Sequence, residues 1–233
     1  LLRFHTQTGG STLTAQQPEN NIIRTTIEAL AAVLGGTQSL HTNSFDEALG
    51  LPTERSAEIA LRTQQIIGYE SGVTATVDPL AGSYYIEYLT HEIEKRIREI
   101  MADVERRGGA VKCVESGFFR DEIAAAAYDF QRRIETRKQI VVGVNEYVSQ
   151  NLQIPSILKV DPENERNQVR SLTKLKASRD RKKIADALAA VRQAAEQNQN
   201  VVYPVIDAVE LYATVGEISD VFRQVWGEYH ENL

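Results

Sequence analysis

The chain has 233 residues and a formal net charge of -6, and its 42% apolar and 25% charged content is that of a globular protein rather than a disordered one. The acidic balance argues against a general nucleic-acid binder. A single cysteine, Cys113, excludes an internal disulfide framework and a multi-cysteine zinc site, and no apolar run approaches the ~20 residues needed to span a bilayer.

The one methionine is Met101, so a chain that starts at Leu1 is expected to be a piece of a longer polypeptide. Its opening lacks the charged and long apolar regions of a signal peptide, and a cytoplasmic protein is expected. Residues 1–8 alternate, with Leu2, Phe4 and Thr6 on one side and Arg3, His5 and Gln7 on the other, which is the period of a strand. After the loop Gly9-Gly10-Ser11-Thr12-Leu13-Thr14, either Asn20 or Asn21 is placed to cap a helix. That helix carries Ile22, Ile23, Ile27, Leu30, Ala31 and Leu34 and stops at Gly35-Gly36. A second strand is expected over residues 37–43. Gln7 and Gln38 lie 31 positions apart (38 − 7), the length of one βαβ unit with right-handed parallel pairing.

A further helix is predicted from Thr53, with Glu54 in its first turn, to about Tyr69. The clearest helix covers residues 83–107, where Ile86, Leu89, Ile93, Ile97, Ile100 and Val104 step by three and four before Gly108-Gly109. Short and long helices follow at residues 110–115 and 120–138, and Ile140-Val141-Val142-Gly143-Val144 reads as a short buried strand. Residues 157–160 form an extended piece, and Asp161-Pro162 supplies a cap and an N1 proline for a helix. Residues 167–177 and 182–197 are the next helices, the second with Ile184, Leu188, Val191 and Ala195 on one face. Thr214 and Glu217 form a capping box ahead of Ile218, Val221, Phe222, Val225 and Trp226.

Two parallel strands do not make a stable sheet alone, because parallel sheets need more strands and helices on both faces. The chain therefore reads as the C-terminal part of an α/β barrel or open sheet, followed by a mainly helical extension. The remaining strands would come from upstream residues or another chain.

Chemistry-bearing side chains gather on the two strands: His5-Thr6-Gln7-Thr8 and Gln38-Ser39-Leu40-His41-Thr42-Asn43. Ligands of α/β proteins sit at the carboxyl ends of the strands, so these residues fit either a ligand passing through a barrel or hydrogen bonding among themselves. In the loop that follows, Asp46 or Glu47 could accept from a pair of sugar hydroxyls or act as a general base. Both could equally be solvated loop or first-turn charges. His41, Asp46 and Glu47 do not reproduce a metal-ligand spacing. Cys113 reads as a packed small hydrophobe. Residues 132–183 hold 13 Lys and Arg against 6 Asp and Glu, an excess of +7 (13 − 6) that reads as a solvated or docking surface, without the interleaved aromatics of a nucleic-acid site.

Several stretches together resemble the adenosylcobalamin-dependent acyl-CoA mutases. They are His5-Thr6-Gln7-Thr8-Gly9-Gly10, then Asn20-Asn21, Arg24 and Glu28-Ala29, and the long block from Thr37-Gln38 through Asn43-Ser44-Phe45-Asp46-Glu47-Ala48-Leu49. Asp78-Pro79-Leu80-Ala81-Gly82-Ser83, Val142-Gly143-Val144-Asn145 and Thr214-Val215-Gly216-Glu217-Ile218 continue the match in unbroken order. The resemblance implies an α/β fold in which residues 1–75 are the last two strands of a (β/α)8 TIM barrel that binds acyl-CoA along its axis. Residues 76–233 would be a helical extension toward a cobalamin-binding domain that this chain does not contain.

The resemblance also implies a radical 1,2-rearrangement of an acyl-CoA, with (R)-methylmalonyl-CoA to succinyl-CoA first and isobutyryl-CoA or 2-hydroxyisobutyryl-CoA rearrangement as alternatives. Gln7 and Gln38 would contact the acyl-CoA, Asn43 and Glu47 the adenosyl moiety, and Gly10 and Ala48 the corrin. No catalytic or metal-ligating residue is assigned within the chain, and the rest of the mutase subunit, a cobalamin domain or subunit and a dimer are the implied partners. Two departures stand out: Ser11 occupies a position where many relatives carry Trp, and the Asp-x-His-x-x-Gly motif that supplies the lower cobalt ligand is missing. A reading of another class is a non-catalytic helical assembly module.

Overall fold

The computed structural model describes residues 2–150 and 155–230, and the chain divides into two compact units, Leu1–Leu158 and Lys159–Leu233. The described residues are mostly helical, with one two-stranded parallel sheet among them. No helix among the described residues is long and apolar enough to cross a membrane.

In the first unit, β1 (Thr6–Gln7) pairs in parallel with β2 (Leu40–His41), Thr6 opposite Leu40 and Gln7 opposite His41. Both strands are much shorter than their alternating sequences predict, and side chains explain why. The ladder bonds Thr6 N–H to Ser39 C=O and Thr8 N–H to His41 C=O are in place. The next N–H group at one end, that of Phe4, donates instead to Gln38 Oε1, and at the other end Asn43 N–H donates to Thr8 Oγ1. Polar side chains thus compete with the backbone for the bonds that would have lengthened the strands.

Between the strands runs α1 (Asn20–Leu34), ended at Gly35 and by Gly36 in the left-handed region at φ 80°. Its start corrects the expected cap. The capping position is Glu19, which makes no side-chain cap bond, while Asn20 donates to Gln17 Oε1. Asn21 is fully buried and spends its amide on tertiary bonds. After β2, Thr53 Oγ1 accepts from Ser56 N–H to open α2 (Glu54–Glu70), which buries Ser56, Ala60, Thr63 and Ile67 along one stripe. Thr42 Oγ1 donates to the Ala60 carbonyl at 2.7 Å, and Gln64 Nε2 donates to the Leu40 carbonyl at 3.2 Å, so α2 is fastened to β2.

Next come α3 (Tyr84–Arg106), α4 (Ala110–Glu115) and α5 (Phe118–Glu135). The amphipathic pattern places α3 correctly, yet among the described residues none of its side chains is buried, and Ile93, Ile97 and Ile100 are more than half exposed. Cys113 on α4 is fully buried, as expected of a packed small hydrophobe. The predicted buried strand at residues 140–144 is instead a turn, with Ile140 and Val142 exposed and a single bridge between Val142 and Glu146. Asn145 organises that turn, because its Oδ1 accepts from Val141 N–H at 2.7 Å and its Nδ2 donates to the carbonyls of Ile134 and Gln139. A side chain that meets the backbone's demands locally removes the need for a sheet partner.

Residues 155–160 form neither helix nor paired strand. The second unit contains α6 (Pro162–Ser178), α7 (Arg181–Glu196), α8 (Val202–Glu210) and α9 (Val215–Trp226). Asp161 caps α6 with Pro162 in its first turn, and the separate helix expected over 167–177 belongs to this one, since nothing between them breaks it. Not predicted from the sequence is α8, a short, largely apolar run with Asp207 and Glu210 as its charged positions and Pro204 in its first turn, where proline is tolerated. Ile184, Val191, Ala208, Ala213, Ile218 and Val221 form the core of this unit, flanked by Leu188, Val205 and Phe222.

The capping box of α9 is present: Thr214 Oγ1 accepts from Glu217 N–H, and Glu217 Oε2 accepts from Thr214 N–H at 2.9 Å. Arg179 departs from the solvated basic run read in the sequence. Its side chain is 8% exposed, pairs with the Glu217 carboxylate through both terminal nitrogens and donates to the Tyr212 carbonyl.

Candidate functional site

The carboxyl ends of β1 and β2 converge on a small polar cluster built from Thr8, Asn43, Ser44 and Glu47. Thr8, Asn43 and Ser44 are buried, at 6%, 3% and 4% exposure. Thr8 Oγ1 donates to Asn43 Oδ1 at 2.5 Å and accepts from Asn43 N–H at 2.9 Å. Asn43 Nδ2 then donates to Glu47 Oε2 at 2.6 Å, while Ser44 N–H donates to Glu47 Oε1 at 2.7 Å. Each carboxylate oxygen of Glu47 therefore holds one donor and keeps capacity for a second. The side chain is half-buried.

The glycine loop approaches the same cluster from β1. Gly9 N–H donates to Glu28 Oε2 and Thr12 Oγ1 donates to Glu28 Oε1, both at 2.7 Å, so a carboxylate on α1 fixes the loop. A Cβ placed on Gly10 would stand 3.5 Å from Asn43 Nδ2. The backbone of Gly10 thus lies over Asn43 without a side chain between them.

Of the residues singled out from sequence, Gly10, Asn43 and Glu47 come together here, and Ala48 follows Glu47 on an exposed turn. Gln7 and Gln38 do not join that cluster. Gln7 lies within the ladder opposite His41, and Gln38 sits at the entering end of β2 with its Oε1 accepting from Phe4 N–H at 3.1 Å. The two acidic neighbours differ in burial and partners. Asp46 is buried at 3% and its Oδ2 accepts from both Thr53 N–H and Thr53 Oγ1, so it anchors the start of α2. Glu47 is half-buried and accepts from Asn43 and Ser44. Thr8 and Asn43 hydrogen-bond each other, one of the two readings open for the strand-end residues, whereas the sequence singles out no role for Glu28, whose signal is its place on the helix beside the glycine loop.

The methylmalonyl-CoA mutase family model matches residues 1–228 of the chain. The chain belongs to the methylmalonyl-CoA mutase family. It is 48% identical over 229 residues to methylmalonyl-CoA mutase of Escherichia coli (strain K12), covering 98% of this chain and 32% of that protein. It is 45% identical over 234 residues to the mitochondrial methylmalonyl-CoA mutase of Homo sapiens, covering 100% of this chain and 31% of the relative. The 2-hydroxyisobutanoyl-CoA mutase large subunit of Aquincola tertiaricarbonis is 44% identical over 234 residues, with 99% and 41% covered. The chain thus spans about a third of the length of the methylmalonyl-CoA mutases that it matches.

Proposed function

We propose that this chain is the part of an adenosylcobalamin-dependent acyl-CoA mutase that closes the substrate barrel and carries the adenosyl contact. Residues 1–75 supply the last two strands of a (β/α)8 barrel, and residues 76–233 lead toward a cobalamin-binding domain or subunit of a dimeric enzyme. The reaction is the rearrangement of (R)-methylmalonyl-CoA to succinyl-CoA. The observation that carries this reading is the Asn43–Glu47 pair beneath the bare Gly10 backbone, in a chain whose family match runs from residue 1 to residue 228.

The residues fit the adenosyl group on chemical grounds. A carboxylate whose oxygens each hold a single donor offers further lone pairs to two ribose hydroxyls, and a glycine edge lets a flat macrocycle approach the backbone closely. In this reading Glu47 and Asn43 hold the adenosyl moiety, Gly10 and Ala48 lie against the corrin, and Gln7 and Gln38 contact the acyl-CoA along the barrel. Adenosylcobalamin, when bound, supplies the radical chemistry. The chain's own residues bind, orient and keep water away from the reacting centre.

The 44% identity to a 2-hydroxyisobutanoyl-CoA mutase large subunit favours rearrangement of a branched hydroxyacyl-CoA as the second reading. Incubating the complete mutase that carries this chain with adenosylcobalamin and each acyl-CoA separates them. Succinyl-CoA formed from methylmalonyl-CoA supports the first reading. Turnover confined to 2-hydroxyisobutyryl-CoA replaces it with the second, and turnover of neither contradicts the proposal.

A further inference from the structure

We propose that Thr8 is a positioning residue that sets the orientation of the Asn43 side-chain amide and, through it, the Glu47 carboxylate. The inference rests on the reading above that Asn43 and Glu47 face the adenosyl group.

The argument begins with an ambiguity inherent in asparagine. The amide can present either its oxygen or its NH2 group to a given neighbour, and the two orientations differ little in shape. Next to Glu47 they differ greatly in energy. With Nδ2 toward the carboxylate the contact is a charge-assisted hydrogen bond at 2.6 Å, whereas the flipped amide would set Oδ1 against an anionic acceptor. Thr8 enforces the same orientation from the other end of the amide and fixes where that end lies. Its hydroxyl proton goes to Asn43 Oδ1 at 2.5 Å, and that donor has nothing to donate to if the amide turns over.

The same oxygen accepts Asn43 N–H at 2.9 Å, so Thr8 holds the backbone and side chain of one residue at once. Thr8 is 6% exposed, and the contact spans 35 positions of sequence and ties the end of β1 to the end of β2. A buried hydroxyl with both functions satisfied is well suited to this work, because a hydrogen bond there is not in competition with water. Valine at this position keeps the volume and the β-branch and removes both the donor to Asn43 Oδ1 and the acceptor of Asn43 N–H.

The test uses the complete mutase carrying this chain with Thr8→Val, Thr8→Ser, Asn43→Ala and the Thr8→Val/Asn43→Ala double variant. Dissociation constants are measured by absorbance titration for adenosylcobalamin and, separately, for hydroxocobalamin, which lacks the adenosyl group. Thr8→Val is expected to weaken adenosylcobalamin about tenfold and leave hydroxocobalamin within twofold of its starting value. Thr8→Ser retains the donor and stays near the parent, and once Asn43 is alanine Thr8→Val removes only the acceptor of the residue 43 backbone N–H, so its further effect is well below its effect in the parent. Equal weakening of both cobalamins, or a full additional loss in the double variant, overturns the inference, because Thr8 would then act by packing alone. Thr8→Val at parental affinity with Asn43→Ala impaired also overturns it, and leaves the adenosyl contact standing. Asn43→Ala at parental affinity removes the adenosyl reading and the inference with it. If Thr8→Val does not fold, Thr8→Ala is judged by the same two titrations.

Discussion

Asn21, fully buried on α1, donates its Nδ2 to the carbonyl of Phe45 at 2.9 Å, joining the helix between the two strands to the turn that carries Glu47. The same amide donates to the Thr14 carbonyl at 2.9 Å, and its oxygen accepts from Thr14 N–H at 3.1 Å and Arg24 Nη1 at 2.7 Å. Every hydrogen-bonding position of the side chain is used. Asn21→Asp is isosteric but turns two donors into acceptors that face carbonyls, and a loss of about 2 kcal/mol is expected. Thermal or urea unfolding of the parent and variant measures it. Equal stability would show that these bonds do not hold the turn.

Gly143 lies at φ 82°, and a Cβ there would stand 3.0 Å from Gln17 Cδ. Gln17 in turn donates to the Tyr147 carbonyl at 2.9 Å, and Arg24 Nη2 donates to the Val142 carbonyl at 2.8 Å, so the turn at 140–147 is latched to the start of α1. Gly143→Ala combines an unfavourable backbone region with a crowded contact, at a cost of about 1–2 kcal/mol. Amide exchange across residues 140–147 should accelerate while the core of the second unit keeps its protection. Unchanged exchange in this segment would argue against the latch.

Glu217 gives the second unit a defined pH response. The Arg179 guanidinium bonded to its carboxylate, aided by Thr214 N–H and O–H, holds the carboxyl down at about 2, against the opposing effect of burial. A carboxyl depressed in the folded state contributes stability above its unfolded value of 4.5, and that contribution is lost as pH falls toward about 2. Glu217→Gln should therefore lower the melting temperature at pH 7 and narrow its gap to the parent progressively from about pH 4.5 downward. A gap that stays constant over that range would show that Glu217 does not carry the pH response. Arg179→Lys is expected not to restore the pair, because an ammonium cannot reach the carboxylate and the Tyr212 carbonyl in one fork.

Helices were legible wherever periodicity and end signals coincided. The Thr214 and Glu217 box, the Asp161-Pro162 start and the stepped isoleucines of α3 each mark helices that form where expected. The strands were legible in position and direction but not in length, because the side chains of Gln38 and Thr8 take the N–H groups that would have extended pairing. Alternation carries no record of that competition. The turn at 140–147 was misread for a related reason: its valines look like a strand, and Asn145, which makes the strand unnecessary, is one polar residue just beyond them.

At the site, local pattern alone does not tell Asp46 from Glu47, since neighbouring carboxylates on a turn have the same signal, and only the family resemblance singles out Glu47. Burial and partners separate them: Asp46 is taken by Thr53, whereas Glu47 is reached from Asn43 and Ser44. The same limit applies to Thr8, whose role depends on a contact 35 positions away.

In the proposed function the Glu47 carboxylate serves the reaction rather than the fold or acyl-CoA capture. The most direct measurement is steady-state turnover of the complete mutase with Glu47→Ala, compared with the parent at saturating adenosylcobalamin. A kcat lower by about tenfold or more is expected, with KM for the acyl-CoA changed by about twofold at most. A variant that keeps the parental kcat would contradict it.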